Sequence, residues 1–304
     1  MKKKIIVVAG PTASGKTSLA ISIAKAVDGE IISADSMQVY KGMSIATAAP
    51  TDAQRKEVPH HLVEFLDCDK PFSVAAWCDL ARECIDDIIS RGKVPVVCGG
   101  TGLFIDSLVD NIKFAETDID YTLRDSLMKR DVDSLYQELL SVDSEAAASI
   151  HKNNKKRVVR ALELYYSGVS KTQQNINSKR EESPFDALYL VLCYENRQVL
   201  YDRINRRVDL MLENGLIDEA GDMLSSKKAT SAQAIGHKEL TPYLEGRCTI
   251  EEAGDKLKQE TRHYAKRQIT WFKKRENAVH LYPDREGDGL TKKAITLCEE
   301  FLNG

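Results

Sequence analysis

Lys16, Thr17, Asp35 and Thr101 are the polar side chains whose settings in this sequence carry chemistry. The first two close the run Gly10-Pro11-Thr12-Ala13-Ser14-Gly15-Lys16-Thr17, which has the G-x-x-x-x-G-K-[ST] spacing of a phosphate loop. Glycines at that spacing let successive backbone N–H groups converge on phosphate oxygens, and a following helix adds its positive end. Lys16 is placed to neutralise a terminal phosphate, and the Thr17 hydroxyl to ligate Mg²⁺. The loop leaves open which phosphorylated compound it holds.

Asp35 stands where the short apolar run Glu30 to Ala34 ends, and Gly99-Gly100-Thr101-Gly102 leaves the run Val94 to Cys98. In a doubly wound sheet the carboxyl ends of the strands face the ligand crevice, the edge that also carries the phosphate loop. A carboxylate there can bind metal or act as a base. The glycines would let backbone and the Thr101 hydroxyl approach a ligand closely. The plainer alternatives are that Asp35 caps the next segment and the glycines only turn the chain.

The elements that must position these groups are legible as apolar runs. Five read as core strands: Ile5 to Ala9, Glu30 to Ala34, Val94 to Cys98, Leu188 to Tyr194 and Ala278 to Tyr282. Helical patterns lie between them, the clearest from Val74 to Ser90, with Ser73 as N-cap and Gly92 past its end. This alternation predicts an α/β fold, a P-loop NTPase-like doubly wound parallel sheet. Residues 111–183 break the rhythm and read as helices only, which predicts an all-helical insertion serving as lid or substrate-binding subdomain. The core is then 1–110 with 184–304, the latter ending in further helices, including Val199 to Glu213 and the long run Ile250 to Lys274.

Composition fits a soluble globular protein of 304 residues with a net charge of −3. Seven scattered cysteines, none spaced C-x-x-C, argue against a disulfide framework or zinc site and for a reducing, cytoplasmic setting. Met1-Lys2-Lys3-Lys4 faintly suggests a signal peptide, but the apolar run after it is too short and leads into the phosphate loop. No stretch is long enough to span a bilayer. His60-His61 reads as structural, since no other metal ligand is spaced with it. Two regions are basic against the overall charge: Lys152, Lys155, Lys156, Arg157 and Arg160, and the stretch from Lys258 to Arg275. A charge run is usually a solvated face, but two of them localise positive potential where a polyanion could lie.

Together these residues resemble the tRNA dimethylallyltransferase (tRNA isopentenyltransferase) family along almost the whole chain. The matching stretches are GPTASGKT at Gly10, ISADSMQVYKGM at Ile32, VPHHL at Val58, GKVPVVCGGTGL at Gly92, KRVVRALELY at Lys156, GHKEL at Gly236 and TRHYAKRQITWF at Thr261. The resemblance implies transfer of a dimethylallyl group from dimethylallyl diphosphate to N6 of the adenosine 3′ of the tRNA anticodon. The loop, Gly10 to Thr17, then holds a prenyl diphosphate, with Mg²⁺ on Thr17. Asp35 matches the family's general base and Thr101 its catalytic-loop threonine, with Lys16 at the diphosphate. Residues implied to touch tRNA are Asp35, Ser36, Met37, Gln38, Thr101, Arg124, Lys156, Arg157, Arg160, Gln233, Gly236, His237, Lys238, Lys266, Arg267 and Lys273. Arg157 has a competing expectation, an ion pair with Glu163 or another acid of the insertion. The protein is expected to act as a monomer, away from membranes.

Several positions depart from the family's pattern: Asn154 where Asp is common, His237 for Tyr, Ala46 and Ala49 for Gly and Lys, and Gly221 for Arg. They leave the catalytic groups intact. A nucleotide or small-molecule kinase would use the same loop, Mg²⁺ and helical lid, and a catalytically idle tRNA-binding relative is a third class. The intact Lys16, Thr17, Asp35 and Thr101 speak against the last.

Overall fold

The structure, a computed structural model of the chain, describes residues 2–112, 120–177, 182–224 and 234–304. The chain divides into two compact units, Met1–Val109 with Pro184–Gly304, and Asp110–Ser183. In chain order the first unit begins β1 (Lys3–Ala9), α1 (Lys16–Ala26), β2 (Gly29–Ser33), α2 (Ser44–Thr47) and α3 (Asp52–Glu57). It continues through β3 (His60–His61), α4 (Val74–Ser90), β4 (Val94–Gly99) and α5 (Gly102–Val109). The second unit holds α6 (Tyr121–Lys129), α7 (Val132–Val142), α8 (Ser144–Ser149), α9 (Lys155–Tyr166) and α10 (Lys171–Asn177). The first unit then resumes with β5 (Phe185–Leu192), α11 (Arg197–Glu213), α12 (Leu216–Leu224), α13 (His237–Leu244) and α14 (Ile250–Phe272). It closes with β6 (Ala278–Leu281), α15 (Pro283–Glu286) and α16 (Gly289–Asn303).

The described strands form one six-stranded parallel sheet in the order β3-β2-β4-β1-β5-β6. Its strands are apolar on both sides because helices cover both faces. Ile5, Val7 and Ala9 pack with Trp77 and Ile85 of α4, while Ile6 and Val8 pack with Leu19 and Ile23 of α1. Each such valine, leucine or isoleucine side chain, fully buried, contributes ~1.5–3 kcal/mol of transfer free energy. The register aligns Ala9 with Gly99 and Ser33 with Cys98. The segments after β1, β4 and β2 therefore leave the sheet side by side at one edge.

Two expectations need correcting. The sheet has a sixth strand, His60–His61, which pairs with Ile31 and Ile32 and lies at the edge. Two polar residues carry no apolar period, so pattern alone does not reveal it. The fourth expected strand is shifted toward the N-terminus, Phe185–Leu192. Its last expected residue, Tyr194, turns out of the sheet to donate to Ser14 O at 3.1 Å.

The insertion is helical throughout its described residues, around Leu127, Leu135, Leu139, Val158 and Leu162. Side-chain caps start its helices: Asp120, Asp131, Asp143 and Asn154 each accept from an amide in the first turn that follows. No described helix is long and apolar enough to cross a membrane.

Candidate active site

The phosphate loop turns because three of its residues have positive φ, Gly10 at +151° among them. Gly15 has φ +94° and Ala13 φ +61°. The alternation of handedness turns consecutive N–H groups to one side, an anion-binding nest at the start of α1. An alanine in the left-handed region is unfavourable by about 1–3 kcal/mol and persists only where its surroundings hold it. Here Arg203 Nε donates to Ala13 O at 2.9 Å, and Gln268 Oε1 accepts from Thr12 N at 2.8 Å.

Asp35 and Thr101 sit beside the loop for reasons of close packing. Trp77, fully buried, donates from Nε1 to Ser33 O at 3.0 Å and stacks on Phe104, which fixes the end of β2. A Cβ on Gly99 would lie 2.1 Å from Ala34 O, so only glycine lets β4 approach the residue before Asp35. Thr101 N donates to Ala34 O at 3.1 Å, and Thr101 Oγ1 accepts from Ser36 N at 3.0 Å. Asp35 Oδ1 accepts from Met37 N at 2.9 Å and Gln38 N at 3.4 Å. The carboxylate thus caps the next turn and also faces the cavity.

That cavity, of about 760 Å³, brings Thr12, Lys16, Thr17, Asp35, Ser36, Met37, Gln38, Gly236 and Arg267 onto one wall system. It joins them to Arg203, Arg206, Arg207, Thr261, Tyr264 and Gln268, none of which the sequence analysis gave a role in the site. Its remaining walls are largely apolar, with Ala46, Met211, Ile235 and Leu257. Burial pushes the Lys16 ammonium down; Cys98 and Asp35 oppose that shift, while Arg207 adds to it. Burial likewise lowers Arg207, against the pull of Asp35. Two half-buried cations thus share one nearby carboxylate. Such a site favours an anion, because buried positive charge without a counter-charge is costly. Ser14 Oγ, also buried, has no protein partner. Burial, and then the Asp35 charge, push the Tyr264 phenol up, while its bond with Thr101 works the other way. Cys98 beneath the loop is pushed up to about 12 by burial, so it is a thiol and no nucleophile.

The donor chemistry fits a hard divalent cation. The Thr17 hydroxyl is an oxygen donor beside a loop suited to phosphate oxygens, the ligand set Mg²⁺ takes when substrate completes its shell. Among the described residues no group of three or more His, Cys, Asp or Glu is arranged to hold a metal by itself.

The remaining sequence candidates fall into two groups. On the late helix, Lys266, Arg267 and Lys273 are exposed, with Lys273 just past the end of α14; Arg267 lies over the Tyr264 ring. His237 is buried and bonded through Nε2 to Glu219 at 2.8 Å, and Lys238 beside it is exposed. Gln233 lies outside the described residues. In the insertion, Lys156 and Arg157 are exposed, while Arg160 is half-buried. Glu163 is paired not with Arg157 but with Arg124, at 2.5 and 2.8 Å, and with Arg160, at 3.2 Å. The helical repeat explains this: Arg160 and Glu163 are three apart and share a face, whereas Arg157 is six away. Burial opposes ionisation of Glu163, yet Arg124 and Arg160 together carry it below the usual carboxylate range.

Fold and site define a P-loop NTPase-like transferase with an anion-binding centre and a helical insertion. The sequence matches the IPP transferase family over residues 38–275 and the Isopentenyl transferase family over residues 3–63, and the chain belongs to the IPP transferase family. It is 45% identical over 291 residues to a tRNA dimethylallyltransferase of Acetivibrio thermocellus, covering 92% of each chain. Among solved structures, the full-length tRNA isopentenylpyrophosphate transferase of Bacillus halodurans is 40% identical, with a TM-score of 0.75 over 99% of this chain and 97% of that one. A eukaryotic dimethylallyltransferase acting on tRNA is 31% identical, with a TM-score of 0.85 over 99% of this chain and 80% of that one. The kinase alternative has no support in these relatives and is set aside.

Proposed function

We propose that this chain transfers the dimethylallyl group from dimethylallyl diphosphate to N6 of the adenosine 3′ of the anticodon in tRNA. The observation that carries this reading is the half-buried pair Lys16 and Arg207 beside Asp35 at the phosphate loop, in a cavity with an apolar wall. A prenyl diphosphate has the matching polarity: an anionic head for the cations and loop N–H groups, and a short hydrocarbon for the wall.

In the reaction, the adenine N6 lone pair forms a bond to C1 of the allyl group as the C1–O bond to diphosphate breaks. The electron pair of that bond leaves with diphosphate, where Lys16, Arg207 and the loop amides stabilise it. This electrostatic contribution is the largest, since N6 is a weak nucleophile. Asp35 accepts the N6 proton, contributing about 10²–10⁴-fold. Thr101 and Tyr264 place hydroxyls beside Asp35 that orient the adenine edge. Thr17 would hold Mg²⁺, which when bound supplies Lewis-acid stabilisation of the leaving oxygens. The target base must leave the stacked anticodon loop to reach the cavity, whose apolar walls keep water from the allylic carbon. Exposed Lys266, Arg267, Lys273 and, on the insertion, Lys156 and Arg157 are the proposed RNA contacts.

Thermal protection tests the donor assignment. Dimethylallyl diphosphate with Mg²⁺ is expected to raise Tm in proportion to the logarithm of its concentration over Kd. ATP is expected to raise it little. Strong protection by ATP with none from the prenyl donor would overturn the reading.

A further inference from the structure

Beneath the phosphate loop lies a second, smaller cavity of about 20 Å³, bounded by Thr17, Ser33, Asp35, Gln38, Cys98 and His60. A buried water needs ~10–15 Å³ and two to four polar partners, so this cavity has room for one. His60 enters it from the edge strand β3, whose pairing with Ile31 fixes where the imidazole lies. His60 Nδ1 is 2.8 Å from Val58 O. A carbonyl oxygen only accepts, so Nδ1 carries the hydrogen and Nε2 of the neutral ring presents its lone pair. Nε2 is buried and has no protein partner. Two of the donors that line the cavity are engaged elsewhere: Gln38 Nε2 donates to Thr47 O and Ala48 O, and Ser33 Oγ to Gln38 Oε1. Thr17 and Asp35 line the same cavity.

We propose that His60 is a positioning residue of the prenyl-transfer site, its Nε2 accepting a hydrogen bond from a water that also meets Asp35 and Thr17. This rests on the proposed metal-diphosphate reading of Thr17. The water's two hydrogens go to two acceptors, His60 Nε2 and the Asp35 carboxylate. Its oxygen is left to accept the Thr17 hydroxyl hydrogen. That turns the lone pairs of Thr17 Oγ1 outward, toward the place where a divalent cation would meet the diphosphate. His60 thereby sets the orientation of a metal ligand without touching metal or substrate, as outer-shell partners do.

The test uses the full chain, Mn²⁺ as a spectroscopic probe and inorganic diphosphate. In wild type, Mn²⁺ binding in the presence of diphosphate is followed by electron paramagnetic resonance. His60→Ala is expected to weaken it about 10–100-fold, the usual cost of losing an outer-shell partner, with tRNA affinity unchanged. His60→Gln, which restores an acceptor oxygen, is expected to stay within several-fold of wild type. A high-resolution crystal structure of the unliganded protein is expected to place a water within hydrogen-bond reach of Nε2. Unchanged Mn²⁺ affinity in His60→Ala, or no water at Nε2, overturns the proposal. Equal losses in both variants with a lowered Tm also overturn it, by making His60 merely structural. Should His60→Ala not fold, the Gln variant and the crystal water decide. Failure of wild type itself to bind Mn²⁺ with diphosphate strikes the metal reading and this inference together, whereas intact wild-type binding with unaffected variants strikes only the latter.

Discussion

Gln268 accepts the amide hydrogen of Thr12 at 2.8 Å, and through the same amide group it donates to Gly100 O at 2.9 Å. One buried side chain on α14 thus joins the phosphate loop to the segment that carries Thr101. The approach is close: a Cβ on Gly100 would lie 2.2 Å from Gln268 Nε2. The amide needs both its donor and its acceptor here, so no charged or apolar residue of similar size replaces it.

Gln268→Leu is expected to destabilise the protein by about 1–3 kcal/mol, because Thr12 N and Gly100 O lose their partner in a buried place. Gln268→Glu keeps the acceptor for Thr12 but sets an oxygen against Gly100 O. It is expected to lower kcat more than it raises the donor KM. Chemical denaturation gives the first quantity and steady-state kinetics the second. A Gln268→Glu enzyme with wild-type kcat would remove the coupling role.

Asp35→Asn keeps the acceptor oxygen that caps Met37 and Gln38 and removes the proton acceptor. Its kcat is expected to fall by about 10²–10⁴-fold, while tRNA affinity stays within several-fold, because the group acts mainly in the transition state. Single-turnover kinetics with filter-binding on the same variant separates the two effects. Turnover near wild type would take Asp35 out of the base role.

Which parts of this site could be read from the sequence follows from how local their causes are. The phosphate loop, Asp35 and Thr101 are fixed by short patterns that end strands, and a strand end has a known place in a doubly wound sheet. Gln268 and Arg207 are different. Gln268 sits in a run of lysines and arginines on an exposed-looking helix, and Arg207 follows Arg203 and Arg206 in a stretch that reads as solvated charge. Distant segments cover them: the loops after β1 and β4 pack on Gln268, which is buried, and Arg207, half-buried, bonds Thr12 Oγ1 of the loop after β1. No local period records such burial. The two-residue strand β3 is invisible for a related reason, since pairing with β2 alone defines it.

Glu30, almost fully buried at the start of β2, bonds Arg91 through both oxygens, His61 at 2.8 Å and Lys93 at 3.1 Å. The Arg91 bond holds its carboxyl far below the ordinary value of 4.5, and burial is outweighed. The folded pKa is depressed, so this contribution to stability is fully present above about pH 4.5 and is lost as pH falls toward the folded value. Glu30→Gln is expected to be less stable than wild type at pH 7, with the difference shrinking below pH 4. Denaturant melts at a series of pH values check this. A difference that grows on acidification would contradict the assignment.

The last expectation separates two arginines on α9. Arg157 is exposed and makes no ion pair among the described residues, whereas Arg160 shares the buried Glu163 with Arg124. A cation that neutralises a phosphate releases condensed counterions, so its removal flattens the salt dependence of binding. Arg157→Ala is therefore expected to reduce the slope of log K against log salt by roughly one unit, at little cost in stability. Arg160→Ala is expected to change the slope less. Arg124→Ala, which strips Glu163 of its bidentate partner, is expected to cost about 1–3 kcal/mol in the insertion. Equal slope changes for Arg157→Ala and Arg160→Ala would show that tRNA draws Arg160 away from Glu163. No slope change in either would leave α9 an ordinary solvated face.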